Sequence, residues 1–256
     1  MSTHPDLSEP VSHKLVRQWR RLYASDLGAN TSAPHMTEAA SALTDAQGRV
    51  RAMVLTVSKP ADWGAVGRVW SGVQTELGWP APAIAVDGLD GLQLWFSLTD
   101  PCPAAEAGEW LQALCARFLA DLEPRRLRCW PAAAEADASS STPRPVPQTQ
   151  VGSDQWSAFV SPDLAPVFED SPWLDVAPGE DAQASLLMAL QSVRTEDARQ
   201  ALGRPAGAPT AAPAVPAAPR HTDPRRFLLE VMNDERADLA CRIEAARILL
   251  AHASTP

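Results

Sequence analysis

No two cysteines in this chain stand at metal-ligand spacing. Cys102, Cys115, Cys129 and Cys241 are scattered, which argues against a zinc site of the usual kind and suits small buried thiols in a reducing cytoplasm. The five histidines, His4, His13, His35, His221 and His252, never pair with a carboxylate or cysteine at ligand spacing, and none is assigned a role. The Walker A, GxGxxG and GxSxG patterns are missing. No run approaches the length of about 18 apolar residues that a membrane helix needs, and the first residues, MSTHPDLSEP, hold no apolar signal segment. The expectation is a soluble, cytoplasmic protein without metal, cofactor or membrane partner. It is not expected to be an enzyme, because no catalytic constellation is legible.

What is present is acidic and rich in proline. The net charge is −9, which disfavours nucleic acid as a partner of the whole surface, because phosphate is held by local cationic patches. Such patches exist in the sequence. Lys14, Arg17, Arg20 and Arg21 fall in residues 13–23 with no acid among them, and Arg125, Arg126 and Arg128 surround a short apolar run. Most of the 24 prolines lie outside residues 50–130, so irregular connections are expected there and a regular fold within.

Residues 50–130 read as strand, helix, strand, strand, helix, strand. Val50 to Val57 is the first strand. Pro60 and Asp62 suit a helix start, Trp63, Val66, Trp70, Val73 and Leu77 form its apolar stripe, and Gly78 ends it. Ala83–Val86 and Leu92–Leu98 flank a turn of Asp87, Gly88, Asp90 and Gly91 and read as a hairpin. Two aspartates in such a turn read as turn formers rather than metal ligands. Pro103 opens the second helix, whose stripe is Ala107, Leu111, Leu114, Phe118 and Leu122. Pro124 stops it before a last strand, Leu127–Trp130. This is the order of the ferredoxin-like or RRM-like unit, an α+β fold with a four-stranded antiparallel sheet and two helices on one face.

Around that unit, residues 1–12 read as disordered, and 13–25 as a helix with Leu15, Trp19 and Leu22 on one stripe. Residues 13–130 then make one domain. Residues 131–150 read as a linker, and 151–202 as a segment too apolar to stay free, packing back on the first domain. Residues 203–222 form a Pro/Ala linker, and 223–256 a helical hairpin. Phe227, Leu228, Val231 and Met232 mark its first helix, and Ile243 and Leu250 lie on its second. These six are the candidate partner-binding residues.

Two stretches, Ala52–Pro60 (AMVLTVSKP) and Gly88–Leu98 (GLDGLQLWFSL), give the first domain a resemblance to the archaeo-eukaryotic primase-polymerase superfamily. Active members of that family carry D-h-D at the end of the first such strand and a histidine before an aromatic pair in a later one. Here the D-h-D positions fall on Thr56 and Ser58, the histidine position falls on Gln93, and Trp95 and Phe96 match the aromatic pair. The departure outweighs the match. Nucleotidyl transfer needs two carboxylates to hold two metal ions, and no Asp or Glu lies between Asp45 and Asp62. The resemblance therefore implies a degenerate, non-catalytic relative. The stretch Asp223–Leu250 is similar to helical segments of phage small-terminase-like and other mobile-element proteins.

Strand alternation puts Leu92, Leu94, Phe96 and Leu98 under the helices, and Gln93, Trp95 and Ser97 on the opposite face. Thr56, Ser58, Gln93 and Trp95 on that face, with Arg125, Arg126, Arg128, Lys14, Arg17, Arg20 and Arg21 as a phosphate-binding rim, are the candidate nucleic-acid site, Trp95 stacking a base. The competing expectation is that residues 155–175 cover this face and bury Trp95. Two functional readings follow. The first is a non-catalytic, DNA-associated protein of a bacterial mobile element or replication system, with nucleic acid and another replication or packaging protein as partners. The second is a protein-interaction adaptor that binds through its C-terminal hairpin.

Overall fold

The structure, a computed structural model, describes residues 12–25, 43–133, 142–150 and 152–202. The described residues all belong to one compact unit, which spans residues 1–206. The hairpin expected at 223–256, its six candidate partner-binding residues, the linker 203–222 and most of the N-terminal tail lie outside the described residues.

The described part is an α+β unit built on a five-stranded antiparallel sheet. Its strands are β1 (Arg49–Ser58), β2 (Ala83–Val86), β3 (Gly91–Pro103), β4 (Leu127–Trp130) and β5 (Ala158–Val160), in spatial order β4-β1-β3-β2-β5. The fifth strand corrects the four-stranded expectation. Ala158–Val160 pairs with the free edge of β2, which satisfies backbone groups that would otherwise face solvent. At three residues it shows no alternation to read. β3 also runs beyond Leu98 to Pro103, because β1 pairs with it again at Val50 and Arg49, past a bulge of β3 residues 98–101 opposite Arg51.

Five helices are described: α1 (Ser12–Tyr23), α2 (Trp63–Thr75), α3 (Ala104–Phe118), α4 (Glu180–Met188) and α5 (Thr195–Leu202). Asp62 caps α2, its carboxylate accepting from the Ala65 N–H at 2.8 Å, and Gly78 takes φ +65° just beyond the helix end. Pro60 stands before the helix rather than in its first turn. α2 and α3 pack on the sheet face that carries Phe96 and Cys129. Trp79 meets Phe96 edge-on, and Cys115 of α3 touches Cys129 of β4. Gly108 lets α3 approach the chain at Ala132 and Ala133, where an added Cβ would collide with backbone.

The opposite face is covered as well, by α1 and α4. Arg21 ties the two together, donating to the Leu187 and Leu190 carbonyls at 2.8 and 3.2 Å, and Lys14 pairs with Asp181. Near the bulge, the buried Arg51 donates to the Leu98 carbonyl at 3.0 Å and reaches that of Ala24 at 3.4 Å. It thereby joins the end of α1 to the sheet. α5 rests on the far end of β3, where the Thr195 hydroxyl meets Asp100 and Arg199 pairs with Glu106.

Candidate functional site

Register sets the site. Across the face opposite α2 and α3, one cross-strand row runs Arg128, Thr56, Gln93, Ala85, Phe159, through all five strands. The next row runs Trp130, Val54, Trp95, Ala83. Paired residues point to the same side of a sheet, so Thr56 and Gln93 stand side by side, with Arg128 beyond Thr56.

α1 fills the middle of this face with aromatic rings. Trp95 lies within 6.4 Å of Trp19, 5.1 Å of Tyr23 and 6.2 Å of Phe159, ring centre to ring centre and edge-on in each case. It is 1% exposed. Its indole N–H donates to Gln93 Oε1 at 2.9 Å, which satisfies the one polar atom it would otherwise bury bare.

Toward β4 the cover stops, and a pocket of about 1130 Å³ opens. Its floor includes Val54, Thr56, Gln93 and Trp130. Arg125, Arg128 and Arg144 line it together with Asp87, Gln150 and Ser157, and its lining continues around the β4 edge to the α3 side, where Cys115, Cys129 and Leu119 border it. Arg125 also pairs with Glu123, and Arg128 reaches both Asp87 and Asp90, so Arg144, whose guanidinium donates to Gln150, is the lining arginine whose bonded partner is not an acid.

Asp87 organises the polar end. Its Oδ1 accepts from the N–H groups of Leu89 at 2.8 Å and Gly91 at 3.0 Å, fixing the hairpin turn. Its Oδ2 lies 3.5 Å from the Arg128 guanidinium, which also comes within 4.0 Å of Asp90. Burial pushes the Asp87 carboxyl above the usual carboxylate range, against the two N–H donors and Arg128, which pull it down. Gln150 donates to the Asp87 carbonyl and accepts from Arg144 at 3.1 Å. Gly88, at φ +79°, has no room for a Cβ against Gln150 and the Ser157 N–H.

Of the residues expected to bind nucleic acid, Thr56, Gln93, Arg125 and Arg128 come together in this pocket. Trp95 does not serve as a stacking surface, because α1 and Phe159 enclose it. The cover comes chiefly from the N-terminal helix rather than from residues 155–175. Ser58 is buried against Gly91, 1% exposed. Arg126 turns back to the Pro60 carbonyl and Asp62 at 3.1 and 3.2 Å. Lys14, Arg17, Arg20 and Arg21 lie on α1, and none of them lines the pocket, so the expected continuous rim is absent.

Arg144, Gln150 and Asp87 are the residues that sequence reasoning missed. The first two lie in the stretch read as a linker, and the third was read as a turn former only. Arg144 among prolines was the one available signal. Among the described residues no three His, Cys, Asp or Glu side chains cluster as metal ligands, and no helix is long and apolar enough to cross a membrane. No protein-family model and no curated protein matches the chain.

Proposed function

We propose that this chain is a non-catalytic, nucleic-acid-associated protein that takes a phosphate-bearing strand into the pocket beside β4. The observation that carries the reading is the arginine-lined pocket itself, with Arg125, Arg128 and Arg144 around Thr56 and Gln93. Arginine forks suit phosphate oxygens, and the amide of Gln93 suits a base edge. A strand order of β4-β1-β3-β2 in residues 49–130, with β5 added, supports a ferredoxin-like core. The primase-related reading is supported by the register that sets Thr56 opposite Gln93, the positions matching the family's carboxylate and histidine motifs. A single carboxylate, Asp87, lines the pocket, and two-metal transfer needs two. The setting proposed is the cytoplasm of a bacterial host, within a mobile element or replication system, alongside a replication or packaging protein.

Fluorescence anisotropy with labelled single-stranded DNA and RNA tests this. Binding should weaken with salt, with a log–log slope near −2 for about three phosphate contacts. Replacing Arg125, Arg128 and Arg144 together by alanine should weaken it about tenfold or more and flatten the slope. Absence of binding by the intact chain, or binding untouched by the triple replacement, overturns the reading.

A second reading, a protein-interaction adaptor, is favoured by one observation. The chain's own Trp19, Tyr23 and Phe159 fill the centre of the sheet face. Cutting after residue 206, where the first compact unit ends, separates the two. Oligonucleotide binding survives the cut in the first reading, and partner retention is lost in the second.

A further inference from the structure

Cys115 and Cys129 share no sequence motif and are 14 residues apart, yet their sulfurs lie 3.7 Å from each other. Cys115 sits near the C-terminal end of α3 and Cys129 within β4. Both are half-buried, neither is joined in a disulfide, and both line the pocket. The third described thiol, Cys102, is buried 1% exposed and lines no part of it.

We propose that Cys115 and Cys129 form a reversible disulfide by exchange with a small-molecule disulfide of the glutathione type, which reaches them through the pocket. A disulfide bond is about 2.05 Å long, so the sulfurs must close by roughly 1.7 Å. The element that this closure shifts is β4. It has four residues, pairs with β1 along one side only, and forms an edge of the sheet.

The order of events follows from the shared proton. The hydrogen bond between the two sulfurs lowers the Cys129 thiol against the opposing effect of burial, and the same bond, with burial, holds Cys115 up. The bond between the sulfurs favours a thiolate on one of the pair, and we take Cys129 as that one. Its thiolate attacks one sulfur of the small disulfide, whose S–S bond breaks and whose other half leaves as a thiolate. Cys115 gives up its proton, attacks the Cys129 sulfur of the mixed disulfide, and expels the second half. Two protein thiols and one small disulfide become one protein disulfide and two small thiols, so atoms and electrons balance.

The intact chain is equilibrated in glutathione buffers of increasing oxidised fraction, its remaining thiols are alkylated, and its peptides are mapped by mass. The expected product is a Cys115–Cys129 cross-linked peptide, removed by dithiothreitol, with Cys102 alkylated only after unfolding. Cys115→Ser should stop at a glutathione adduct on Cys129, and Cys129→Ser should give no intramolecular bond. Alkylation of both Cys115 and Cys129 throughout the oxidised range overturns the proposal. So does a disulfide that forms only through Cys102 or Cys241. Because mapping is done on the unsubstituted chain, a variant that fails to fold leaves the test intact. Loss of oligonucleotide binding plays no part in it.

Discussion

Two halves of one sheet face have been put to opposite uses. Around Trp95 the face is aromatic and closed, with Trp19, Tyr23 and Phe159 packed edge-on or stacked over it. Toward β4 it mixes apolar and polar residues, is lined by arginines and is open. The strands are continuous between the halves, so the sheet does not cause the difference. The cause is how far α1 reaches: twelve residues end over β3 and β1 and leave the β4 side to the polar chain at Gln148–Ser157. One half stabilises the fold and the other remains available for a ligand.

The sharpest way to break this comparison is to empty the closed half. Trp95→Ala should cost about 3–5 kcal/mol by urea unfolding, because a fully buried indole leaves a cavity and releases Gln93. A loss below about 1 kcal/mol would mean that α1 does not hold this face. The joint between the halves comes next. Arg51→Met keeps the volume but strips the Leu98 and Ala24 carbonyls of their donor, and should cost about 1–3 kcal/mol by the same measurement. In the open half, Arg128→Ala should change stability by less than about 0.5 kcal/mol, since its side chain is 54% exposed. It should still weaken oligonucleotide binding. A large stability loss there would make Arg128 a structural residue.

The smallest effect is one of pH. Burial raises the Asp87 carboxyl in the fold, so at neutral pH the folded chain carries an ionised group that the unfolded chain solvates better. Stability should therefore rise as pH falls through the folded value towards the ordinary carboxylate range. Asp87→Asn lacks that titration and keeps an oxygen for the Leu89 and Gly91 N–H groups. The stability of the native chain relative to the variant should improve between pH 7 and pH 4 in urea melts. A flat or opposite trend would show that the Leu89 and Gly91 N–H donors, with Arg128, outweigh burial.

The helices on the Phe96 face were legible because their signals are local: Asp62, Gly78 and apolar residues at steps of three and four. The hairpin was legible for the same reason. β5 was not, since three residues carry no period and their pairing with β2 depends on a chain return of 70 residues or so. α1 was legible as a helix but not as the lid on Trp95, because an apolar stripe does not name its partner. The pocket was half legible. Thr56, Gln93 and Arg128 follow from strand alternation, whereas Arg144 and Gln150 reach the site from a proline-rich stretch that composition marks as linker. Cys115 and Cys129 meet only because α3 returns directly into β4.

The placement of the strands has one more consequence. The two long strands, β1 and β3, lie inside the sheet, and its edges are β4 and β5, of four and three residues. Short edges give an incoming extended chain little ladder to join along β4 and β5, which protects those edges from templated aggregation and disfavours strand addition there.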